Sequence, residues 1–475
     1  MSKNDILFSI VITTFDSENT IEKALNSVIN QTLDNKFYEI IVIDDCSNDN
    51  TWEILQSYDE DNLYIYQLEK NSGGPSIPRN SGIYHSSGEY IHFLDGDDWL
   101  DLDILYKISK NKHWFKSDLI IAKAIKNKNG NQSIYAKFMT INENINQKSS
   151  NIPYLYYYLG PSGKFIKRKL IEKNKIQFSE QLPFGGDKLF FLKVFENVNY
   201  ITTTGIISNY INRSSDNMSI VKKTNFIQKR KSDIILFNDA INIKKKKRRD
   251  EFLLRIVEHD ILKNCNSHVF LNLKDQEKKE VFEIIKEIFY NEYVRKKIIK
   301  KVDYRFKQAI EAIYENDFMK FNMFFEWYKR GAKVLSKKSD NSYSQKSLCP
   351  YEFEIISPFA NLLNLQLTEE FVYFQVEINN LKDKRIQGVN LVSRSNFNNS
   401  VSLSSFTLNK GFLTVILNKI DLVKLTNGIF NLVIIYDDYK SLSIKYAFTK
   451  KIELNSKMIT IYPTIHGNIS IKVED

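Results

Sequence analysis

Apolar runs of strand length alternate with helically spaced apolar positions through the first part of the chain. Phe8 to Ile12 predicts a buried strand, and Asp16-Ser-Glu-Asn then opens a helix with Ile21, Ala24, Leu25 and Val28 on one face. Ile40 to Ile43 predicts a second strand, Trp52, Ile54, Leu55 and Tyr58 a second helix, and Leu63 to Leu68 a third strand. Tyr90 to Leu94 and Leu119 to Ala124 continue the series. This alternation predicts a Rossmann-like α/β sheet with right-handed crossovers. From Phe226 to about Val334 the period is helical, with few Gly or Pro to interrupt it. Lys338 to Pro350 is polar and Ser-rich and reads as a linker. Beyond Glu352, segments such as Phe371-Val-Tyr-Phe-Gln-Val-Glu-Ile and Phe430-Asn-Leu-Val-Ile-Ile-Tyr alternate or run apolar between Asn, Asp and Gly turns, the pattern of an immunoglobulin-like β-sandwich. The expected domains are an α/β domain over 1–225, a helical domain over 226–340 and a β-sandwich over 350–475.

Composition narrows this only a little. The 475 residues are 43% hydrophobic and 26% charged, which is ordinary globular usage with room for two or three domains. A net charge of +10 predicts attraction to a polyanion without naming it. Cys46, Cys265 and Cys349 are widely separated and lack close His partners, which argues against a disulfide framework or a zinc site and fits a reducing cytoplasm. The amino terminus shows no leader pattern and no apolar stretch reaches transmembrane length. The expected location is cytoplasmic, at most peripheral to the inner membrane face.

The chemistry concentrates at strand ends. Ile91-His-Phe-Leu-Asp-Gly-Asp-Asp98 is an apolar run that stops in three carboxylates, Asp95, Asp97 and Asp98, at the edge where open α/β sheets bind ligands. Three adjacent acids repel one another unless a cation joins them, and hard oxygen ligands suit Mg or Mn. Of the three, Asp98 is expected to cap the following segment. Thr13-Thr14-Phe15, Asp44-Asp45 and Asn71-Ser-Gly-Gly74 also follow strand ends and would share one cleft. Asp45 can accept from the imide nitrogen of a pyrimidine, Asn71 and Arg79 can contact base, ribose or phosphate, and Asp97 can hold a divalent ion against a diphosphate. Helix capping is expected to account for one of Asp44 and Asp45.

Phe8-Ser-Ile-Val-Ile-Thr-Thr-Phe-Asp-Ser, Val42-Ile-Asp-Asp-Cys-Ser-Asn-Asp-Asn-Thr and Phe93-Leu-Asp-Gly-Asp-Asp together resemble the inverting family 2 glycosyltransferases of the GT-A fold, over about the first 220 residues. Asn71-Ser-Gly-Gly-Pro-Ser-Ile-Pro-Arg-Asn80 is similar to the enzymes that add N-acetylglucosamine to poly(ribitol phosphate) wall teichoic acid. The resemblance implies a metal-dependent transferase using a UDP-sugar, with Asp45, Asn71, Arg79 and Asp95 on UDP, Asp97 on Mn or Mg, and Asp187 as general base. It also implies an anionic glycopolymer as acceptor and a homo-oligomer, with a trimer among the options. The chain departs from the family pattern at Thr13 and Phe15, where Pro and Tyr are usual, and at Gly186, where a Glu usually precedes the base.

Direct displacement at an anomeric carbon requires only one carboxylate as base. The glycines before Asp187 allow close approach of a sugar, although Asp187 can equally be the N-cap of the helix from Lys188 to Phe195. Arg213, in Asn212-Arg-Ser-Ser-Asp-Asn-Met-Ser219, lies where relatives place a mobile closing loop. It is a candidate for the diphosphate or the acceptor phosphate, as are Lys167 and Arg168. Lys244-Lys-Lys-Lys-Arg-Arg249 lacks aromatic interleaving or a nucleic-acid module and is read as a solvated helix face, with a polyphosphate track as second choice; nucleic acid is not an expected partner. His92 is expected to be structural, and Tyr154, Tyr156, Tyr157 and Tyr158 either half-buried or sugar-stacking. Two rival functions remain: a capsule or surface-polysaccharide transferase with a neutral acceptor, and a non-catalytic glycan-binding assembly protein.

Overall fold

A computed structural model of the protein describes residues 6–182, 184–214, 224–339, 342–348, 351–381, 386–396, 399–403, 405–409, 411–437, 440–454 and 457–475. The chain divides into two compact units, Met1–Asn129 with Ile134–Lys329, and Gly130–Ser133 with Arg330–Asp475.

Up to residue 212 the elements are β1 (Phe8–Thr14), α1 (Ile21–Ile29), β2 (Tyr38–Asp44), α2 (Thr51–Gln56), β3 (Leu63–Gln67), α3 (Ser76–His85), β4 (Tyr90–Asp95), β5 (Trp99–Leu100), α4 (Ile104–Lys110), β6 (Leu119–Lys128), β7 (Asn131–Tyr135), β8 (Asn144–Lys148), β9 (Lys164–Lys167), α5 (Arg168–Lys173), α6 (Gly186–Asn197) and β10 (Tyr200–Asn212). The main sheet runs β3-β2-β1-β4-β9-β6-β10-β5. Strands β1 to β4 are mutually parallel, with Thr14 beside Asp44 and Thr13 beside Asp95. The order reverses between β1 and β4, so the crevice of a doubly wound sheet opens at the carboxyl ends of these two strands.

Both faces of the sheet are covered, which is why its strands read as apolar runs rather than as an alternation. Ile10 and Ile12 pack in one cluster with Leu25, Val28, Ile104 and Ile108 from α1 and α4. On the other face Phe93 meets Phe178 and Phe190 edge to face. His92 lies in this sheet with no solvent exposure, stacked on Phe165, with Nδ1 2.9 Å from the Lys164 carbonyl. Tyr156 and Tyr158 are buried and therefore belong to the core instead of forming a sugar platform.

Beyond β10 the unit is helical. It comprises Phe226–Ala240, Lys246–Leu254, a π-helical segment Arg255–Leu262, Asp275–Tyr290, Lys307–Tyr314 and Phe318–Arg330, among shorter turns. The basic run is only in part other than the solvated face expected of it: Lys244 to Lys247 are exposed, whereas Arg248 and Arg249 are half-buried. Arg248 donates to the Glu196 and Val198 carbonyls and to Ser149 Oγ, Lys247 donates to Ser150 O, and the Arg249 guanidinium lies 4.3 Å from the Tyr293 ring. The carbonyls left open at the end of α6 attract these cations. Among the described residues no helix is long and apolar enough to cross a membrane.

In the second unit, largely antiparallel sheets, with one parallel pair at Ala360 and Ile444, enclose an apolar core to which Phe374, Val376, Leu413, Val415, Leu432 and Ile434 contribute. Burial alternates along Phe371–Asn379, as the sequence pattern requires. The segment expected to be a linker, Lys338 to Pro350, contains one strand, Tyr343–Lys346, which pairs with Val334–Lys337 before it and with Glu354–Ile355 after it. These strands are two to four residues long and mostly polar, so their pairing leaves no apolar signature. Cys46 and Cys265 are free thiols, and Cys349 lies outside the described residues.

Candidate active site

The parallel register carries the polar strand ends to one edge. Gly96 N donates to Thr13 O at 2.9 Å and Asp45 N to Thr14 O at 2.9 Å, which ties the ends of β1, β2 and β4 together. A Cβ on Gly96 would stand 2.8 Å from Thr14 Oγ1, so the close approach of the two strand ends requires glycine there.

Asp44 and Asp45 have separate tasks. Asp44 accepts from Ser47 N at 3.1 Å and Gln67 Nε2 at 2.9 Å, closing the turn after β2. It does not cap α2, whose N-cap is Asn50; Asp49, one residue earlier, accepts from Thr51 N at 3.0 Å. The Asp45 carboxylate accepts from Ser72 N at 2.8 Å and Ser72 Oγ at 2.9 Å. Burial pushes its pKa up, and the Ser72 donors oppose the shift. Asn71 donates to the Asp45 carbonyl at 3.2 Å and accepts from Gly73 N at 2.8 Å, which folds the Asn71–Gly74 loop over Asp45.

Arg79, in the first turns of α3, is only 2% exposed, and its guanidinium bridges Asp95, at 2.7 Å, and Asp187. It faces two protein carboxylates instead of standing open to a ligand phosphate. Asp187 is the second residue of α6, and Gly185, with φ +84°, holds the N-cap position that Asp187 was expected to fill. In this first turn the helix amides favour a carboxylate. The Asp187 side chain keeps 37% of its exposure, yet the protein crowding it pushes its pKa up while Arg79 pulls the other way. Gly186 has a local cause: a Cβ there would lie 2.9 Å from Ser76 Oγ, so the Glu of the family pattern could enter only if that hydroxyl turned away.

Carboxylate oxygens of Asp95, Asp97 and Asp98 lie within 4.8 Å of one another, a donor set that fits a hard divalent cation. Asp98 does not cap a following segment. It is buried, and its Oδ1 accepts from Asn212 N at 2.8 Å, joining the Asp triplet to the end of β10. Burial, reinforced by Asp97 and Asp95, drives its pKa well up. Arg213 follows at the same edge, exposed, with its amide on Asn127 O at 2.7 Å. Residues 215–223, where the closing loop was expected, lie outside the described residues.

Lys167 and Arg168 are not brought to this cleft. Strand β9 runs antiparallel to β4 and sets Lys167 beside Tyr90, at the opposite edge of the sheet from Asp95. There Lys167 donates to Phe115 O at 2.7 Å, and Arg168 donates to Gly88 O at 2.9 Å and pairs with Glu172. Sequence reasoning missed Lys164, which is fully buried under the site. Its ammonium lies 3.1 Å from the Tyr158 ring centroid, and desolvation pushes its pKa far down. The glycine before it was visible in the sequence, but nothing there marked a buried lysine.

Residues 9–196 match the family model described as glycosyl transferase family 2. The chain is similar to poly(ribitol-phosphate) beta-N-acetylglucosaminyltransferase TarS of Staphylococcus aureus, 34% identical over 41% of this chain and 33% of that protein. It is similar to a poly(ribitol-phosphate) beta-glucosyltransferase of Bacillus spizizenii, 33% identical over 45% of this chain and 33% of the relative. The alignments thus span about a third of these two relatives. The Staphylococcus aureus TarP N-acetylglucosaminyltransferase is 34% identical over 46% of this chain and 67% of its own length. A crystal structure of TarS shares the fold, with TM-score 0.63 at 20% identity over 99% of this chain and 85% of that one. The chain belongs to glycosyl transferase family 2.

Proposed function

We propose that the protein transfers N-acetylglucosamine from UDP-N-acetylglucosamine, with inversion, to a hydroxyl of a poly(ribitol phosphate) chain. The observation that carries this reading is the Arg79 bridge, which holds Asp95 at the donor edge and Asp187 one guanidinium apart. Asp187 takes the acceptor hydroxyl proton as that oxygen attacks the anomeric carbon. Its raised pKa brings it closer to the working pH than an ordinary carboxylate. Asp45, beneath the Asn71–Gly74 loop, receives the uracil, and Asn71 and Asp95 complete the UDP contacts. Arg79 aligns the two carboxylates. A Mn or Mg ion held by Asp97 would neutralise charge on the departing diphosphate. Arg213 faces the diphosphate or an acceptor phosphate, and the net charge of +10 favours an anionic polymer. A cytoplasmic location near the inner membrane face and self-association belong to the same reading, and relatives of the same class support the donor and acceptor.

Mass-spectrometric transfer assays with UDP-N-acetylglucosamine and UDP-glucose, on purified poly(ribitol phosphate) and on a neutral glycan, test the proposal. Transfer to the neutral glycan alone would replace the acceptor, and no UDP release from any pair would favour a glycan-binding protein. Asp187→Asn should lower kcat about 10³-fold with UDP affinity retained. Asp97→Asn should instead weaken UDP binding in the presence of Mn, and unchanged affinity would remove the metal assignment.

A further inference from the structure

Helix α6 carries Asp187 toward the sheet edge and Lys188, one position on, toward the helical layer. Successive helix residues point about 100° apart, so the two side chains must serve different neighbours. Lys188 Nζ lies 3.3 Å from Asp233 and 3.2 Å from Asp260, and its side chain is 15% exposed. Both acids are buried and carry second cations: Arg230 is 2.9 Å from Asp233, and Arg255 pairs with Asp260. The result is a chain of alternating charge, Arg230, Asp233, Lys188, Asp260, Arg255, with the helix of the base at its centre.

The backbone is built to make this chain. Arg255 and Asp260 are five residues apart, which in an α-helix would place them about 140° apart around the axis. The Arg255–Leu262 segment is π-helical, and its i to i+5 repeat brings them onto one face. The other end of α6 is held as well: Arg248 and Lys245 donate to the carbonyls of Glu196 and Val198. A structural core has little need of five linked charges, because replacing a buried ion pair with apolar residues often leaves stability unchanged or higher. Fixing the direction of one helix is a use that does need them.

We propose that Lys188 is a positioning residue for the transfer step, and that the helical layer braces α6 through it so that Asp187 is held against Arg79 in attack geometry. This rests on Asp187 being the base. The test uses the full-length protein with UDP-N-acetylglucosamine and poly(ribitol phosphate). Lys188→Met should lower kcat about 10²-fold, the scale of a displacement of about 1 Å, with KM for the donor and UDP affinity within about twofold of wild type. Lys188→Arg should restore most of the rate. In an Asp187→Asn background, Lys188→Met should change the residual rate by less than about twofold, because a residue acting through the base has nothing left to position. An equal loss in both backgrounds, or a wild-type kcat for Lys188→Met, overturns the proposal. If Lys188→Met fails to bind UDP, Lys188→Gln, which keeps a donor toward the acids, carries the same criteria. Wild-type turnover by Asp187→Asn would instead remove the base assignment, a failure separate from that of the brace.

Discussion

The two units bury very different side chains. In the first, Arg79, Asp98, Lys164, Arg230, Asp233 and Asp260 are all buried, several in direct ionic contact. In the second, the buried polar side chains among the described residues are Ser344, Ser393 and Ser470, and none is ionisable. A sheet can evidently be held by apolar packing alone, since Val372, Phe374, Val376, Val389 and Leu432 have no exposure. Charges taken out of water cost several kcal/mol each before their pairing is counted. Their concentration in one unit therefore marks where geometry, more than stability, is being specified. The β unit lacks this signature, which suits a part that supplies shape or surface.

The largest test of that contrast removes one cation from the network. Arg255→Met leaves the Asp260 carboxylate, whose side chain is 4% exposed, with Lys188 as its main cation, and should cost about 4 kcal/mol in denaturant unfolding. Adding Asp260→Leu should recover much of that stability while kcat stays depressed. If activity returned together with stability, the charges would be there for folding and the contrast would lose its meaning. A somewhat smaller loss is expected on the apolar side. Ile434→Ala, at a site with no exposure, should cost about 3 kcal/mol through lost transfer energy and a residual cavity. UDP affinity should not change, because no ion pair passes through that core. A variant that lost UDP binding would break the separation.

The fold could be read from the chain because buried parallel strands and half-buried antiparallel strands leave different hydrophobic periods, and both appear in the sequence. The gathering of Asp45, Asn71, Arg79, Asp95, Asp97 and Asp187 at one edge was legible for a related reason: each follows a strand or glycine signal that fixes its edge. What could not be read was how a side chain is used once packed. Arg79 looks the same in sequence whether it meets a phosphate or two aspartates. Within the Lys244–Arg249 run, Arg248 reads as part of a solvated face because nothing local shows the open end of α6 beside it. Lys167 and Arg168 follow an ordinary strand, and only the reversal of β9 between β4 and β6 sends them to the wrong edge. The brace on Lys188 depends on a π-helical register, which side-chain periodicity tuned to 3.6 residues does not report.

The smallest effect separates the units by pH. His92 is enclosed in the first unit's main sheet, with Nε2 buried and unpartnered, and burial lowers its pKa from 6.5 to about 4. The unfolded chain thus takes up a proton near pH 6.5 that the folded chain refuses until about pH 4. Below 6.5 the unfolded state binds more protons, so stability rises with pH across this window and falls on acidification. Between pH 7 and pH 5 the term amounts to about 2 kcal/mol against the folded state. Carboxylates titrate over part of the same range, so the useful quantity is the difference between wild type and His92→Phe, which keeps the stack on Phe165. The variant loses the bond to the Lys164 carbonyl at every pH, which displaces its curve without changing the slope. The wild-type curve should therefore drop toward the variant curve by about 2 kcal/mol as the pH falls from 7 to 5. Parallel curves would mean that His92 titrates in the folded sheet as it does in the unfolded chain, because water reaches Nε2, and the first unit would lose one of the buried groups that set it apart.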